Sequence, residues 1–389
     1  MKGNTSIELY LSNFTDYITH YSHQIDKPEG FDWYNRIYRS KIYKWTHIEH
    51  YNNGKVEVLH IVTMPNATSN MPIFGLDVVA INGKITMICC DFTPIGRPFY
   101  KVENPFENDR ALPEWATFFS DDLLLIRPKE TQIEPILWYY FEYYKKYILD
   151  LAQYDIITEP KKNLVFMNSY VQNQRKNTST LKALSADIGK EKAEEFINNY
   201  LFPDITLSKE EQQVQDVFDF GVGIRKQTNE EHIAAEKTQL SIDLVQGTIS
   251  EVNYANYLHA QYTIFKEFMR VNDYYVTDIY NLLMYDYLNL NVEHNIKRMD
   301  SLESYKNYLH HIDVDTLKGH IYTFALAHCY GGYYIAKKLN MPKLHLTSLN
   351  PKTAYSIRKL THNCNVEDVR NAFIHATKIY EDIYETTSS

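Results

Sequence analysis

Two hydrophobic periods divide this chain. In the first half, apolar and polar positions alternate through Lys44–Tyr51, Lys55–Met64, Pro72–Ile81 and Lys84–Asp91. Alternation at period two predicts strands that turn one set of side chains to a core. The first pair of runs flanks Asn52-Asn53-Gly54 and the second flanks Asn82-Gly83. Asn-Gly between such runs is a hairpin signal, because a type I′ turn needs positive φ at both central residues. Two hairpins in series predict an antiparallel meander. Ile136, Leu137, Tyr140, Tyr144, Ile148 and Leu151 then recur at helical spacing, and residues 190–200 repeat the pattern. Helices are therefore expected over both faces of the sheet, an α+β arrangement.

From about Leu207 the period becomes 3.6 and stays there. Ser208-Lys209-Glu210-Glu211 reads as a helix N-cap with a charged first turn. Residues 229–246, 250–271, 302–311, 316–339 and 366–383 all read as helices. After Pro203 the only prolines are Pro342 and Pro351, which suits an all-α half. The expected domains are residues 1–208 and 216–389. A chain of 389 residues is long enough for two such cores.

Composition narrows the classes. The net charge is −9, and both halves carry more acidic than basic side chains. That argues against a general nucleic-acid binder. Cys89, Cys90, Cys329 and Cys364 show no metal-type spacing, so a reduced, cytoplasmic setting is expected, without a cysteine metal site. No apolar run approaches membrane-spanning length.

Candidate chemistry in the first half lies on neighbouring strands. His60 shares a strand face with Val58, and Asp77 lies on the following strand. A His and an Asp within hydrogen-bond reach share a proton, which shifts both groups and yields a donor usable near neutral pH. The surrounding residues, Leu59-His60-Ile61-Val62-Thr63-Met64-Pro65, Pro72-Ile73-Phe74-Gly75-Leu76-Asp77, Asp91-Phe92-Thr93-Pro94, Leu112-Pro113-Glu114-Trp115 and Leu125-Ile126-Arg127-Pro128, resemble the ferredoxin-dependent bilin reductases. The resemblance implies an α/β/α sandwich around an antiparallel sheet. It also implies reduction of biliverdin IXα by single electrons from ferredoxin, without a metal or flavin in this domain. Carried over by position, Asp77 is the first choice of proton donor, His60 its partner, and Glu49 the acid serving a peripheral vinyl. Asn177 and Thr178 fall at a substrate-binding position. Thr178 stands where phycocyanobilin-forming members carry an aspartate, which leans the expected product toward phycoerythrobilin, while Glu49 argues the other way.

The helical half carries a second set. His232 and Glu236 are four residues apart and share a helix face. Ile321–Gly332 places Gly331-Gly332 inside an apolar helix, at a cost of roughly 1 kcal/mol each. With Arg225 seven residues before His232, the pattern resembles heme oxygenase, with the plant-type Ala-His-x-x-Gly-Gly variant on the distal side. The resemblance implies His232 as iron ligand oriented by Glu236. Arg225 and Tyr322 would meet heme propionates, Gly331 and Gly332 would line the distal face, and His328 would organise a distal water. The expected partners are heme, biliverdin and reduced ferredoxin, the last docking on a basic patch drawn from Arg36, Arg39, Lys41, Lys44, Lys145 and Lys146.

Overall fold

The computed structural model describes residues 6–95, 102–109, 111, 118–153, 157–290, 296 and 298–385. The quoted motif Leu112–Trp115 lies outside the described residues. The chain forms two compact units, Met1–Gln215 and Asp216–Ser389.

The first unit is built on a seven-stranded meander: β1 (Gln24–Asp26), β2 (Tyr34–Arg39), β3 (Tyr43–Asn52), β4 (Val56–Pro65), β5 (Ile73–Ile81), β6 (Lys84–Thr93) and β7 (Leu124–Ile126). The strands pair in chain order, every neighbour antiparallel. Alternation explains the two faces. Ile48, Leu59, Ile61, Leu76 and Val78 point to one side, where α1 (Ser6–Tyr21) and α2 (Glu130–Gln153) cover them with Phe14, Phe141 and Tyr144. Trp45, Val62, Met64 and Ile73 point to the other, under α3 (Pro160–Gln174), α4 (Thr178–Ile188), α5 (Lys190–Phe196) and a π turn at Ile197–Leu201. This is an α/β/α sandwich.

The two Asn-Gly turns differ. Asn82 and Gly83 both have positive φ, at 50° and 75°, as a type I′ turn requires. At the other hairpin only Gly54 does, and Asn53 N–H closes a wider loop onto Val56 O at 3.1 Å. Asn53 Oδ1 accepts the Lys55 and Val56 N–H groups, so a side-chain turn replaces the expected type I′ geometry.

Helix α6 (Lys209–Gln227) opens with the expected cap. Ser208 Oγ accepts Glu211 N–H at 3.2 Å, and Glu211 returns Oε2 to Ser208 N–H at 2.7 Å. Glu211 also accepts Ala67 N–H and pairs with Lys44. Lys44 is thereby engaged in an ion pair, its side chain 13% exposed.

The second unit is helical throughout its described residues: α7 (Asn229–Glu236), α8 (Gln239–Gln246), α9 (Glu251–Phe268), α10 (Tyr274–Leu288), α11 (Asp300–His311), α12 (Val314–Ala336), α13 (Leu344–Thr347), α14 (Pro351–Leu360) and α15 (Val366–Glu385). Helix α12 is central: Leu317, Ile321, Phe324 and Ala325 are buried along it. Gly319 lets α15 approach closely, since an added Cβ would meet Asp368 Cβ at 2.5 Å and Val369 N at 3.0 Å. Among the described residues no helix is long and apolar enough to cross a membrane.

Candidate functional site

Register builds the first site. Asn35 of β2 lies opposite Glu49 of β3, Glu49 opposite His60 of β4, His60 opposite Asp77 of β5, and Asp77 opposite Cys89 of β6. Directly opposed residues of antiparallel strands share a face, so one row crosses the sheet beneath α3–α5. His60 Nδ1 donates to Asp77 Oδ1 at 2.6 Å. The His60 side chain is 9% exposed and that of Asp77 37%, so the pair has a dry end and an open end.

The electrostatics follow from this burial. Burial by itself would hold His60 low, but Asp77 beside it and Glu49 opposite it outweigh that and raise its pKa. Glu49 is carried up to about 7, chiefly by burial; His60 and the Trp33 N–H pull it back, and Asp77 pushes it further up. His47, two residues before Glu49 on the same face, donates from Nε2 to Asn35 Oδ1 at 2.5 Å. Burial and the neighbouring His60 keep His47 well below its ordinary value. Three nitrogens here, His60 Nε2, His47 Nδ1 and Asn35 Nδ2, are buried without a partner among the described residues. Such groups in a folded interior call for a ligand or ordered water.

Several participants escaped the sequence reading. Trp33 donates from Nε1 to Glu49 Oε1 at 2.7 Å. Tyr170 of α3 brings its hydroxyl to 3.3 Å from where a Gly75 Cβ would stand, which accounts for glycine in mid-strand. Period two along β3 gives His47 once Glu49 is suspected. Trp33 and Tyr170 need the register of β2 and the placement of α3, which no local pattern carries. Asn177 and Thr178 take a different place: Asn177 caps α4, accepting Ser179 N–H at 3.1 Å, and Thr178 is its exposed first residue. Among the described residues no hydrogen bond joins either to the row.

In the helical unit, His232 on α7 is half-buried, edge-on to Phe373 with ring centroids 5.2 Å apart. Its Nε2 lies 3.6 Å from Glu236 Oε1, ion-pair reach but too long for a hydrogen bond. Tyr322 donates to Gly221 O at 3.2 Å, and Arg358 lies against Gly221 while stacking on Phe218 and Tyr330, 5.1–5.3 Å from the ring centroids. Arg358 Nε is buried without a hydrogen-bond partner among the described residues. Arg225, one turn beyond Gly221, is exposed.

The two glycines of α12 part company. Gly331 has nothing within 4 Å of an added Cβ, and Ala327, Tyr330 and Tyr334 on the same stripe are exposed. Gly332 instead meets Leu346 of α13, with its Cδ2 at 3.1 Å and Cα at 3.3 Å. Its smallness serves helix packing against α13, whereas Gly331 is not so enclosed. His328, one turn before Gly332, is buried with it. His328 Nε2 donates to Gln261 Oε1 at 3.1 Å, and its ring lies 5.3 Å from that of His345, which Asp286 holds through Nδ1 at 2.6 Å. Burial, and then His345, keep His328 far below its ordinary pKa. It faces the core, turned from the exposed stripe of Ala327, Tyr330 and Tyr334.

The basic residues expected to dock a partner are largely engaged. Arg39 pairs with Asp26 at 2.8 Å, Lys145 with Glu142 at 2.6 Å, and Arg36 stacks on Tyr34. Among the described residues no cluster of three metal-ligating side chains occurs.

Comparison with known proteins gives these features a context. Residues 19–203 match the family described as ferredoxin-dependent bilin reductase. The phycocyanobilin:ferredoxin oxidoreductase of Synechococcus sp. is 28% identical over 184 residues, covering 43% of this chain and 74% of that protein. That of Prochlorococcus marinus is 24% identical over 197 residues, covering 46% and 82%. Among solved structures, PcyX aligns at 17% identity with a TM-score of 0.41, covering 51% of this chain and 99% of its own. Heme oxygenase-1 from the cyanobacterium Synechocystis sp. PCC6803 in complex with heme aligns at 15% identity with a TM-score of 0.36, covering 43% and 93%. Residues 19–203 are thus similar to the ferredoxin-dependent bilin reductases, in a chain that continues into a helical unit.

Proposed function

We propose that this chain is a bifunctional bilin synthase. Its helical unit opens heme to biliverdin IXα, and its sheet unit then reduces biliverdin to a phycobilin, with reduced ferredoxin as electron donor. The observation that carries the reading is the row Glu49–His60–Asp77, with its 2.6 Å hydrogen bond and its half-open aspartate. A conjugated tetrapyrrole becomes more basic with each electron it receives, and an acid already in place traps the reduced form before the electron returns. Asp77 meets the pigment from the open end of the pair. His60, when protonated, has a second N–H at Nε2 that no group among the described residues accepts. Glu49, titrating near neutral pH, is the third proton source.

The residues of the helical unit suit a flat, carboxylate-bearing substrate. Heme, when bound, supplies the iron at which oxygen is activated. The protein's part is to hold it: His232 as ligand, and Arg225, Tyr322 and Arg358 as partners for its carboxylates. Gly331 leaves room for a planar ring against α12. Having both steps on one chain raises the local concentration of the intermediate. Thr178 in place of an aspartate favours phycoerythrobilin as product, and Glu49 favours phycocyanobilin.

One observation favours a second reading, a heme-binding sensor or carrier: His328, turned into the core, brings no proton to the open stripe. Adding heme to the purified chain, then reduced ferredoxin and oxygen, separates the two. A Soret band that gives way to biliverdin and then a phycobilin supports the synthase, and His232→Ala should stop only the first step. A Soret band that persists supports the sensor. No heme binding would leave a reductase with a docking module.

A further inference from the structure

Among the described residues the carboxyl group of Glu49 has one hydrogen-bond partner, and that partner is an indole. Trp33 Nε1 lies 2.7 Å from Glu49 Oε1. An indole nitrogen donates and cannot accept, so Oε1 is the acceptor whichever charge the carboxyl carries. Trp33 is held in place by edge-on rings on three sides: Phe31 at 5.2 Å, Tyr51 at 5.4 Å and Phe196 at 5.2 Å. Glu49 is only 4% exposed and lies directly opposite His60. A buried acid gripped by one oxygen is therefore set into the row that faces the substrate.

We propose that Trp33 is a positioning residue of the bilin site, fixing which oxygen of Glu49 carries the acidic proton and so directing where that proton is delivered. The inference rests on the reductase reading of the sheet unit. A protonated carboxyl has one hydrogen for two oxygens, and the oxygen already accepting the indole hydrogen is the poorer place for it. The proton therefore sits on Oε2. When ferredoxin has supplied an electron to the pigment, the Oε2–H bond breaks and the proton passes to the pigment. The carboxylate left behind is stabilised by the same N–H, which a charged acceptor makes stronger, and solvent later restores the proton. Without the indole hydrogen the two oxygens become equivalent and the anion loses a donor. Delivery then becomes both slower and less selective.

The substitution Trp33→Phe keeps an aromatic ring among the other three and removes only the donor. The first readout needs no substrate: a pH titration of the Glu49 carboxyl band by difference infrared spectroscopy, the band being the one absent in Glu49→Gln. In Trp33→Phe the midpoint should move up by about one pH unit, a tenfold change in the ionisation constant. Trp33→His, which can donate, should bring the midpoint part of the way back. With biliverdin and reduced ferredoxin, the ratio of vinyl-reduced to vinyl-intact product should change several-fold in Trp33→Phe. An unchanged midpoint, or an unchanged product ratio, would overturn the proposal. A shifted midpoint in a chain that leaves biliverdin untouched would instead overturn the reductase reading, and with it the direction of proton delivery.

Discussion

Glu49 shows how one buried side chain records the demands of a site. Its pKa is raised from 4.5 to about 7, chiefly by burial. Because the folded value lies above the unfolded one, the stability Glu49 contributes is fully present below pH 4.5 and is lost as pH rises through 7. That difference corresponds to about 3 kcal/mol. Glu49→Gln cannot ionise, so between pH 4.5 and pH 8 it should gain roughly that much relative to the unaltered chain. Urea unfolding of both proteins at each pH, followed by tryptophan fluorescence, measures it, and a difference independent of pH would contradict it. Side-chain alternation was enough to pair His60 with Asp77. Trp33 and Asn35 were hidden because their place depends on β2, a six-residue strand whose register no turn signal announces.

At the scale of elements, α12 separates two uses of glycine that look identical in sequence. Gly331 faces open space and Gly332 faces Leu346. Gly331→Ala should raise the stability of the ligand-free protein by up to about 1 kcal/mol through helix propensity, while weakening heme binding by crowding the flat ligand. Gly332→Ala must push Leu346 aside and should lower stability by about 1–3 kcal/mol. Thermal unfolding and heme titration of the two variants check both statements. Equal effects would mean that the glycines share one role. The two long hairpins and helices α9, α11, α12 and α15 were legible because their apolar period is clean. Helix α10 was not. It exposes Tyr274, Tyr285 and Leu288 as well as burying Val276, Ile279 and Leu283, so large apolar side chains occur on every face and the period blurs. Helix α3 was hidden for the opposite reason: the polar Asn163 is buried, bonded to Ala67 O, Ser69 O and Thr158.

For the whole molecule, the two units should answer acid differently. In the helical unit His259, His320, His328, His345 and His375 all lie below their ordinary value of 6.5, burial being the leading cause in each. Histidines held neutral in the fold contribute stability above pH 6.5 that is lost as pH falls, because the unfolded chain takes up the proton first. In the sheet unit His47 acts the same way, but His60 and Glu49 are shifted upward and act oppositely. Between pH 6.5 and about 5 the helical unit should therefore lose stability faster. All four tryptophans, Trp33, Trp45, Trp115 and Trp138, belong to the sheet unit. Thermal melts at pH 7 and pH 5, read by far-ultraviolet circular dichroism and by tryptophan fluorescence, resolve the two. The dichroism transition should move down more than the fluorescence transition, and equal movement would contradict the assignment of the neutral histidines.

Proton delivery from the strand-borne row to a bilin is most directly tested by anaerobic reduction of supplied biliverdin with reduced ferredoxin, comparing the unaltered chain with Asp77→Asn. The account predicts a phycobilin from the unaltered chain, and from the variant an accumulating one-electron-reduced pigment with little product. A variant that makes phycobilin at the normal rate, or an unaltered chain that leaves biliverdin unchanged, would contradict it.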